Sequence, residues 1–272
     1  MHEMVIDWIR HGAINRPSTL ATVELPSGRR RTYAEMHERV SRIAGWLLSL
    51  GVTRGDRVGV LALNSTDDLD IIFATWRIGA VHLALNFRLT PAELDFIVEN
   101  AEPVLLIHDR EMLKTVEALS VSVEQVVETE GQGAASEFEN QIADATPVER
   151  QVELSPDDQC MLMYSSGTTG RPKGVIMTHR MMLWANINAC TSMECGQDMV
   201  SLSVMPLFHI GGLQVFALPA LYSGGTSVVL RTFEPGATLE AFSDPELGVT
   251  HFLGVPAIYN ALRDHPDNAK AD

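Results

Sequence analysis

The amino-acid sequence predicts an α/β fold in which mostly parallel sheets are flanked by helices. Short apolar runs with the length of buried strands alternate with segments whose apolar residues recur every three or four positions. That alternation is typical of parallel sheets covered by helices on both faces. With 272 residues, 46% hydrophobic and 20% charged, the chain is long enough for one large or two small domains with a sizeable core.

Capping residues mark the predicted helix starts. Thr32 and Glu35 have the spacing of a capping box, and the helix that follows ends at Gly51. A second helix begins after Ser65 and ends near Gly79. Three more helices are predicted, beginning at Pro91, near Met181 and at Pro256.

The predicted strands are short apolar runs bounded by polar or glycine residues. They cover residues 57–63, 81–85, 104–108, 160–164, 174–178, 200–204 and 250–253. Residues 129–156 contain two prolines, two glycines and few large apolar side chains, so we predict a surface connection there. Residues 210–230 carry no charge, but Pro219 and the pair Gly224 and Gly225 predict a buried helix, a turn and a strand rather than a membrane-spanning helix.

The charge balance argues against a nucleic-acid partner. The chain has 20 Lys and Arg against 35 Asp and Glu, a formal net charge of -15, whereas binding to phosphate backbones needs a basic excess. Its three cysteines, Cys160, Cys190 and Cys195, lack the spacing of a zinc site or a disulfide framework. The N-terminus has no secretory signal pattern, so we expect a cytoplasmic protein with reduced thiols.

One loop concentrates groups that bind phosphate. Residues 165–173, SSGTTGRPK, join two predicted strands. Glycines let the backbone approach a ligand closely, successive amides can form an anion-binding nest, and hydroxyls and a lysine add donors. The loop lacks the Walker A spacing, and a strand follows it rather than a helix. From these residues alone, a polyphosphate cradle and a plain polar hairpin loop both stay open.

The segment MLMYSSGTTGRPKGVIMTH, residues 161–179, resembles the phosphate-loop signature of the adenylate-forming superfamily, which includes acyl-CoA and aryl-CoA synthetases. Residues 32–65, 79–94, 206–213 and 250–262 resemble other segments of this family, so the resemblance extends over nearly the whole chain. The PLFHIGG segment is most similar to bacterial acyl-CoA synthetases. The resemblance implies the fold of an adenylate-forming N-terminal domain.

The resemblance also implies an activity and its residues. A carboxylate would be activated with ATP and its acyl group then transferred to the thiol of coenzyme A, as in ligases of the fatty-acid/acyl-CoA type. The implied ligands are ATP, Mg²⁺, CoA and a fatty or aryl acid. The implied ligands of the ATP phosphates are Ser165, Ser166, Gly167, Thr168, Thr169, Gly170 and Lys173. Lys173 and His209 are the implied catalytic residues, His209 by orienting the carboxylate. Trp184 and Phe208 either line an acyl pocket or pack in the core.

Compared with the family, the sequence ends early, at Asp272. The resemblance therefore implies a truncated chain, with residues 1–180 as a first α/β subdomain, 181–272 as the start of a second, and no C-terminal domain carrying the family's catalytic lysine. Adenine, ribose and Mg²⁺ ligands are expected beyond Asp272, and no metal ligand is assigned within the chain. Little ligase activity is expected from this piece alone, so a non-catalytic nucleotide- or acyl-binding module is the alternative.

The same expected truncation bears on surfaces. A sheet that lacks later strands exposes apolar edges, which predicts self-association of the piece by itself. Peripheral contact with a membrane stays open as an alternative, although the sequence contains no basic amphipathic helix that would require it.

Overall fold

The computed structural model describes residues 5–25, 27–129, 136–165 and 171–270. The strands form two sheets, one of six strands and one of five. Most neighbouring strands run parallel, as the sequence predicts. Helices connect the parallel strands and pack on the sheets, which gives the expected α/β architecture.

The six-stranded sheet forms from the middle of the chain. Its strands are β3 (Arg57–Leu61), β4 (Val81–Ala84), β5 (Leu105–Asp109), β6 (Gln125–Thr129), β7 (Gln159–Ser165) and β8 (Lys173–Thr178). They lie in the order β6-β5-β3-β4-β7-β8, and β8 runs antiparallel to β7 while the other pairs are parallel. The inner strands β3, β4 and β5 are buried along nearly their whole length, which explains why most of their residues are apolar.

The five-stranded sheet combines early and late parts of the sequence. Its strands are β1 (Leu20–Leu25), β2 (Arg30–Thr32), β9 (Val200–Ser203), β10 (Thr226–Leu230) and β11 (His251–Phe252). They lie in the order β11-β9-β10-β1-β2, and β1 pairs parallel with β10. Two strands from before position 180 therefore share a sheet with three strands from after it. The predicted subdomain boundary at residue 180 stays a prediction.

Helices precede, connect and cover these strands. The α-helices are α1 (Trp8–Asn15), α2 (Tyr33–Ser49), α3 (Thr66–Ile78), α4 (Pro91–Ala101), α5 (Leu113–Glu117), α6 (Glu137–Asp144), α7 (His179–Met193), α8 (Ile210–Gly212), α9 (Leu218–Ser223), α10 (Pro235–Ser243) and α11 (Pro256–Asp264). A π-helical turn, Leu213–Ala217, makes α8 and α9 continuous. Gly224 then turns the chain with a φ of 84°, a left-handed conformation that favours glycine. The helix, turn and strand predicted for residues 210–230 are thereby confirmed.

Four clusters of buried apolar residues hold the sheets and helices together in the described ranges, and two of them are the main cores. The larger core packs α2 and α3 on the six-stranded sheet and includes Ile43, Leu47 and Ile72, none of which is exposed. The second packs α10 and α11 on the five-stranded sheet around Val228 and Leu239. Within the described ranges, no helix is both long enough and apolar enough to cross a membrane.

The predicted surface connection over residues 129–156 is wrong for part of its length. Residues 137–144 form helix α6, and its Phe138 and Ile142 are buried. Phe138 meets Trp46 of α2 edge to face, with ring centroids 5.1 Å apart. The sequence did carry a start signal, since Ser136 caps the helix by accepting a hydrogen bond from the Glu139 backbone N–H at 3.1 Å. Only two apolar residues anchor this short helix, too few to make a periodic pattern.

Candidate functional site

The predicted phosphate loop joins two paired strands at one edge of the six-stranded sheet. Ser165 lies opposite Lys173, and Tyr164 lies opposite Gly174. The two ends of the loop therefore lie side by side, and Lys173 is exposed where its ammonium group can meet a ligand. The other predicted phosphate ligands lie outside the described residues; they are Ser166, Gly167, Thr168, Thr169 and Gly170.

This loop leaves the sheet at a topological switch point. β4 and β7 are neighbouring parallel strands, with Ala84 opposite Met163. The chain leaves β4 toward β5 on one side and leaves β7 toward β8 on the other. In open α/β sheets, such a divergence at the carboxyl ends of two strands forms a crevice in which ligands bind. The segment after β4 and the carboxyl end of β7 at Ser165 border this crevice.

His209 lies between β9 and α8, and its ring caps the helix. The His209 Nδ1 atom accepts a hydrogen bond from the Gly211 backbone N–H at 3.1 Å. Because Nδ1 is the acceptor, a neutral ring carries its proton on Nε2, which supplies an N–H donor. His209 is exposed, so a ligand can reach its ring.

Buried Asn64 holds the loop that carries His209. Its Oδ1 accepts a hydrogen bond from the Leu207 backbone N–H at 2.8 Å. Its Nδ2 donates to the carbonyls of Met205 and Leu230 at 3.0 and 3.1 Å. Since Asn64 follows β3 whereas the other three residues follow or end strands of the five-stranded sheet, these bonds connect the two sheets at the site.

Glycine is required at position 212 by the packing of the same loop. A Cβ atom there would lie 2.4 Å from the Pro206 carbonyl oxygen and 2.5 Å from that of Met205, which is closer than van der Waals contact allows. At Gly211 the nearest atom would be 3.4 Å away, an ordinary contact. The small residue at 212 therefore allows the tight turn that presents His209.

An aromatic contact connects the His209 loop to the segment after β4. The rings of Phe87 and Phe208 meet edge to face with centroids 5.1 Å apart. The Arg88 guanidinium lies 5.6 and 6.0 Å from these two centroids, a cation–π arrangement. Because β4 neighbours β7, the contact places the His209 loop at the same ends of the strands as Ser165, where β7 finishes. Phe208 packs against the larger core, whereas Trp184 on α7 is 55% exposed.

A buried ion pair joins the two sheets near this edge. Asp109 ends β5 and accepts hydrogen bonds from the Leu63 backbone N–H at 2.6 Å and the Arg231 guanidinium at 2.9 Å. Burial raises the pKa of Asp109 to about 6, against the opposing effect of Arg231. Asn64, Asp109 and Arg231 are not among the site residues predicted from the sequence. A usable signal was present, since each ends or follows an apolar strand, where ligand-facing polar residues of α/β sheets collect.

The donor chemistry of the site suits phosphate. Hydroxyls, backbone amides and a lysine are donors to anionic oxygens. Among the residues that the structure describes, no group of three or more His, Cys, Asp and Glu side chains is arranged to hold a metal ion. The expected Mg²⁺ therefore stays a prediction, as an ion that would arrive with the phosphates of a nucleotide.

The family of this chain follows from its similarity to known proteins. The family model described as AMP-binding enzyme matches residues 9–272. The chain belongs to the AMP-binding enzyme family. The family resemblance of the phosphate-loop segment is thereby confirmed for the chain as a whole.

Individual members of the AMP-binding family agree with this assignment. Feruloyl-CoA synthase of Amycolatopsis sp is 39% identical over 257 residues, covering 94% of this chain and 50% of the relative. The inhibitor-bound N-terminal domain of FACL13 from Mycobacterium tuberculosis superposes with a TM-score of 0.90 at 27% identity, covering 99% of this chain and 67% of that one. ATP-bound MatB from Rhodopseudomonas palustris gives 0.84 at 28% identity, covering 96% and 51%.

These similarities have two consequences for the predictions. The predicted fold, an N-terminal domain of an AMP-binding enzyme, is confirmed, and the chain spans about half the length of the curated relatives it matches. The predicted fatty-acid type is not confirmed, because the feruloyl group named for the 39% identical relative is aromatic.

Proposed function

We propose that this chain forms the phosphate-binding part of an ATP-dependent acid–thiol ligase, which joins a carboxylic acid to coenzyme A through an acyl-adenylate. The observation that carries the proposal is the hairpin that sets Ser165 beside Lys173 at the β4/β7 switch point, on the edge to which Phe87 and Phe208 connect the His209 loop. Membership of the AMP-binding family and relatives named as CoA ligases support it.

In the first step, the carboxylate oxygen forms a bond to the α-phosphorus of ATP, and the bond between that phosphorus and the bridging oxygen to the β-phosphate breaks. Pyrophosphate leaves with the electron pair. Negative charge grows on the departing group, so donors already aimed at it lower the barrier. We assign this work to Lys173 and Ser165 at the two ends of the loop and, as proposed ligands, to Ser166, Gly167, Thr168, Thr169 and Gly170 between them.

His209 orients the attacking acid in this proposal. Its Nδ1 is occupied by the Gly211 N–H, so its Nε2–H is directed by the ring geometry away from the helix start and can donate to a carboxylate or phosphate oxygen. Phe208 and Asn64 fix the segment of the loop that directly precedes this ring. In the second step, the thiolate of coenzyme A attacks the acyl carbon, a C–S bond forms, and AMP leaves with the electrons of the former C–O bond.

For the acid, we propose an aryl-propenoic carboxylate of the feruloyl type in preference to a long-chain fatty acid. Its support is the feruloyl-CoA synthase that is 39% identical over 94% of this chain. An aromatic ring has the large, flat apolar surface that aromatic side chains bind well. A fatty acid, which the sequence resemblance also implied, is the alternative substrate that the test must distinguish from an aryl-propenoic acid.

The test is a carboxylate panel assayed with the complete gene product. Ferulate, cinnamate, benzoate and palmitate are each incubated with ATP, Mg²⁺ and labelled pyrophosphate, and exchange of the label into ATP is measured. We expect exchange that depends on the acid and is fastest with ferulate, followed by thioester formation when CoA is added. If exchange were fastest with palmitate, the proposed substrate class would be wrong, whereas the proposed reaction would still hold. Nucleotide binding without exchange for any acid would overturn the ligase in favour of a non-catalytic binding module.

A further inference from the structure

A cavity of about 280 Å³ lies between the N-terminal segment, α3 and α7, and no step of the proposed reaction uses it. Four aromatic side chains line it: Trp8, Phe73, Trp76 and Trp184. A cavity of roughly 150 Å³ lined by apolar side chains is enough for benzene, and drug-sized ligands occupy about 300 Å³ or more. This cavity therefore fits a molecule of one or two rings.

The aromatic walls are fixed by contacts with one another. Trp8 lies 5.9 Å from Phe73 and 5.5 Å from Trp76, and Phe73 lies 5.3 Å from Trp76, all edge to face. Phe73 and Trp76 belong to the main core and are 4% and 5% exposed. Trp184 is 55% exposed and forms the outer wall. An incoming ring thus meets an aromatic floor fixed by its own contacts and one solvent-exposed aromatic side chain at the outer wall.

The polar groups of the cavity disfavour a charged ligand. The Asp7 carboxylate is paired with the Arg77 guanidinium at 2.8 Å, and Arg180 is paired with Asp157 at 2.9 Å. His179 is 6% exposed, and its buried Nε2 has no hydrogen-bond partner among the described residues. Burial lowers the pKa of His179 to about 4, so its ring is neutral near pH 7. A neutral ligand meets no unbalanced charge here, whereas an ion would lose its hydration without gaining a counter-charge.

This cavity is remote from the phosphate loop. His179 directly follows Thr178, which pairs with Gln159 at the start of β7, whereas the loop leaves the end of β7 at Ser165. Ser165 lies six positions along the strand from Gln159, which is roughly 20 Å at about 3.3 Å per residue. The cavity therefore lies at the opposite end of β7 from Ser165, where the phosphate loop begins.

We propose that this cavity is a binding site for an uncharged planar aromatic molecule of one or two rings, separate from the nucleotide site. Indole represents the class, since it is flat, neutral and carries one N–H donor. The rings of Trp8, Phe73, Trp76 and Trp184 hold its faces and edges. The proposal does not depend on the proposed ligase activity.

The experiment titrates the 272-residue chain with indole and measures the dissociation constant by calorimetry and by saturation-transfer NMR. We expect saturable binding to one site, binding of benzoate weaker by about tenfold or more, and the same indole affinity with ATP present. Trp184→Ala should weaken indole binding by about tenfold, and Trp184→Phe should restore most of it. The matched control is Met181→Ala, a residue on the same helix that is 56% exposed and does not line the cavity, and its affinity should stay within about twofold.

Three results would overturn the proposal. They are absence of saturable indole binding, equal weakening by Trp184→Ala and Met181→Ala, and displacement of indole by ATP. Because Trp184 lies outside the core, circular dichroism should give the same spectrum for all the variants, so a loss of binding is not a loss of fold.

Discussion

At the scale of single residues, the acids at the start of α3 are unusual because they are buried. Asp67 and Asp68 stand in the first helical turn, where acidic side chains interact favourably with the helix dipole. Burial alone would raise the pKa of Asp67, but Arg39, Arg29 and Arg31 hold it at about 2. Asp68 has no arginine partner among the described residues. Burial and the charges of neighbouring acids raise its pKa to about 7.

Asp68 is expected to make the protein less stable as the pH rises. Its folded pKa lies above the model-peptide value of 3.8, so the folded state binds more protons than the unfolded state between about pH 4 and 7. The stability that Asp68 contributes at low pH is therefore lost as the pH rises across this range. Asp68→Asn should therefore gain stability relative to the parent as the pH rises from 5 to 8. The upper limit is a few kcal/mol, at roughly 1.4 kcal/mol per pKa unit.

Urea unfolding of parent and variant at several pH values measures this difference. His82, whose Nε2 lies 3.4 Å from the Asp68 Oδ1, has its pKa lowered by burial to about 3 and changes stability in the opposite direction. For that reason the comparison is between variant and parent at each pH. A difference that stays constant from pH 5 to 8 would show that Asp68 does not titrate in this range.

At the scale of elements, the ion pairs of Arg39 on α2 connect this helix to two others. Its guanidinium contacts Asp67 at 2.7 Å and Asp70 at 3.0 Å on α3, and Glu139 at 2.6 Å on α6. Only 13% of the Arg39 side chain is exposed. Removing one partner of such a buried network leaves uncompensated charges, which costs far more than the loss of a surface pair.

Arg39→Met should lower the free energy of unfolding by about 3–5 kcal/mol. The matched control is Arg42→Met on the same helix, because Arg42 forms an exposed pair with Glu38, and its loss should cost under about 1 kcal/mol. Chemical unfolding of both variants at pH 7 gives the comparison. Equal costs for the two variants would contradict a structural role for the buried network.

The elements also show what the sequence can predict. The capping box of Thr32 and Glu35, the strand beginning at Arg57 and the turn at Gly224 were predictable because each depends on residues close together in the sequence. The pairing of β1 with β10 was not predictable, since it joins residues about 200 positions apart. Asp67 was not predicted to be buried, because an acid in a first helical turn normally faces solvent and its arginine partners come from other elements.

The residues of the candidate site were likewise only partly predictable from the sequence. Its loop motif identified Ser165 and Lys173, whereas Asn64 acts through a loop more than 140 positions away. Such a role becomes visible only when the two sheets are placed together. Polar residues that directly follow apolar strands are the sequence signal that would have identified Asn64 as a candidate site residue.

At the scale of the whole molecule, few polar contacts connect the two sheets at the site. Asn64 supplies three hydrogen bonds across the junction, and the pair of Asp109 and Arg231 supplies another contact. Buried hydrogen bonds of this kind are costly to break, because the groups left behind are unsatisfied. The site depends on them, since they hold the loop that carries His209.

Asn64→Ala should lower the free energy of unfolding by about 2–4 kcal/mol, since up to three buried backbone groups lose their partner. The same change should slow acid-dependent ATP–pyrophosphate exchange in the complete gene product, because the His209 loop is no longer held. Thermal unfolding and the exchange assay measure the two effects. Destabilisation with full exchange activity at a temperature where the variant is folded would contradict the role of Asn64 at the site.

The edge strand β8 predicts self-association of the 272-residue chain. Val175 and Ile176 on this strand are each 49% exposed, and an exposed apolar edge strand favours pairing with another chain. Sedimentation velocity at increasing protein concentration should reveal oligomers, and Ile176→Lys should reduce them because a charge on the edge opposes pairing. A concentration-independent monomer for the parent chain would contradict this prediction.

The measurement that tests the account most directly is ATP–pyrophosphate exchange by Lys173→Ala in the complete gene product. Lys173 is exposed at the end of the β7–β8 hairpin, so its loss should leave the fold intact while slowing exchange by about 10²–10³-fold. Arg171→Ala, which removes the same charge from an exposed residue two positions away, is the control and should slow exchange by less than about tenfold. Exchange at the parental rate in Lys173→Ala would contradict the assignment of this loop to the phosphates of ATP.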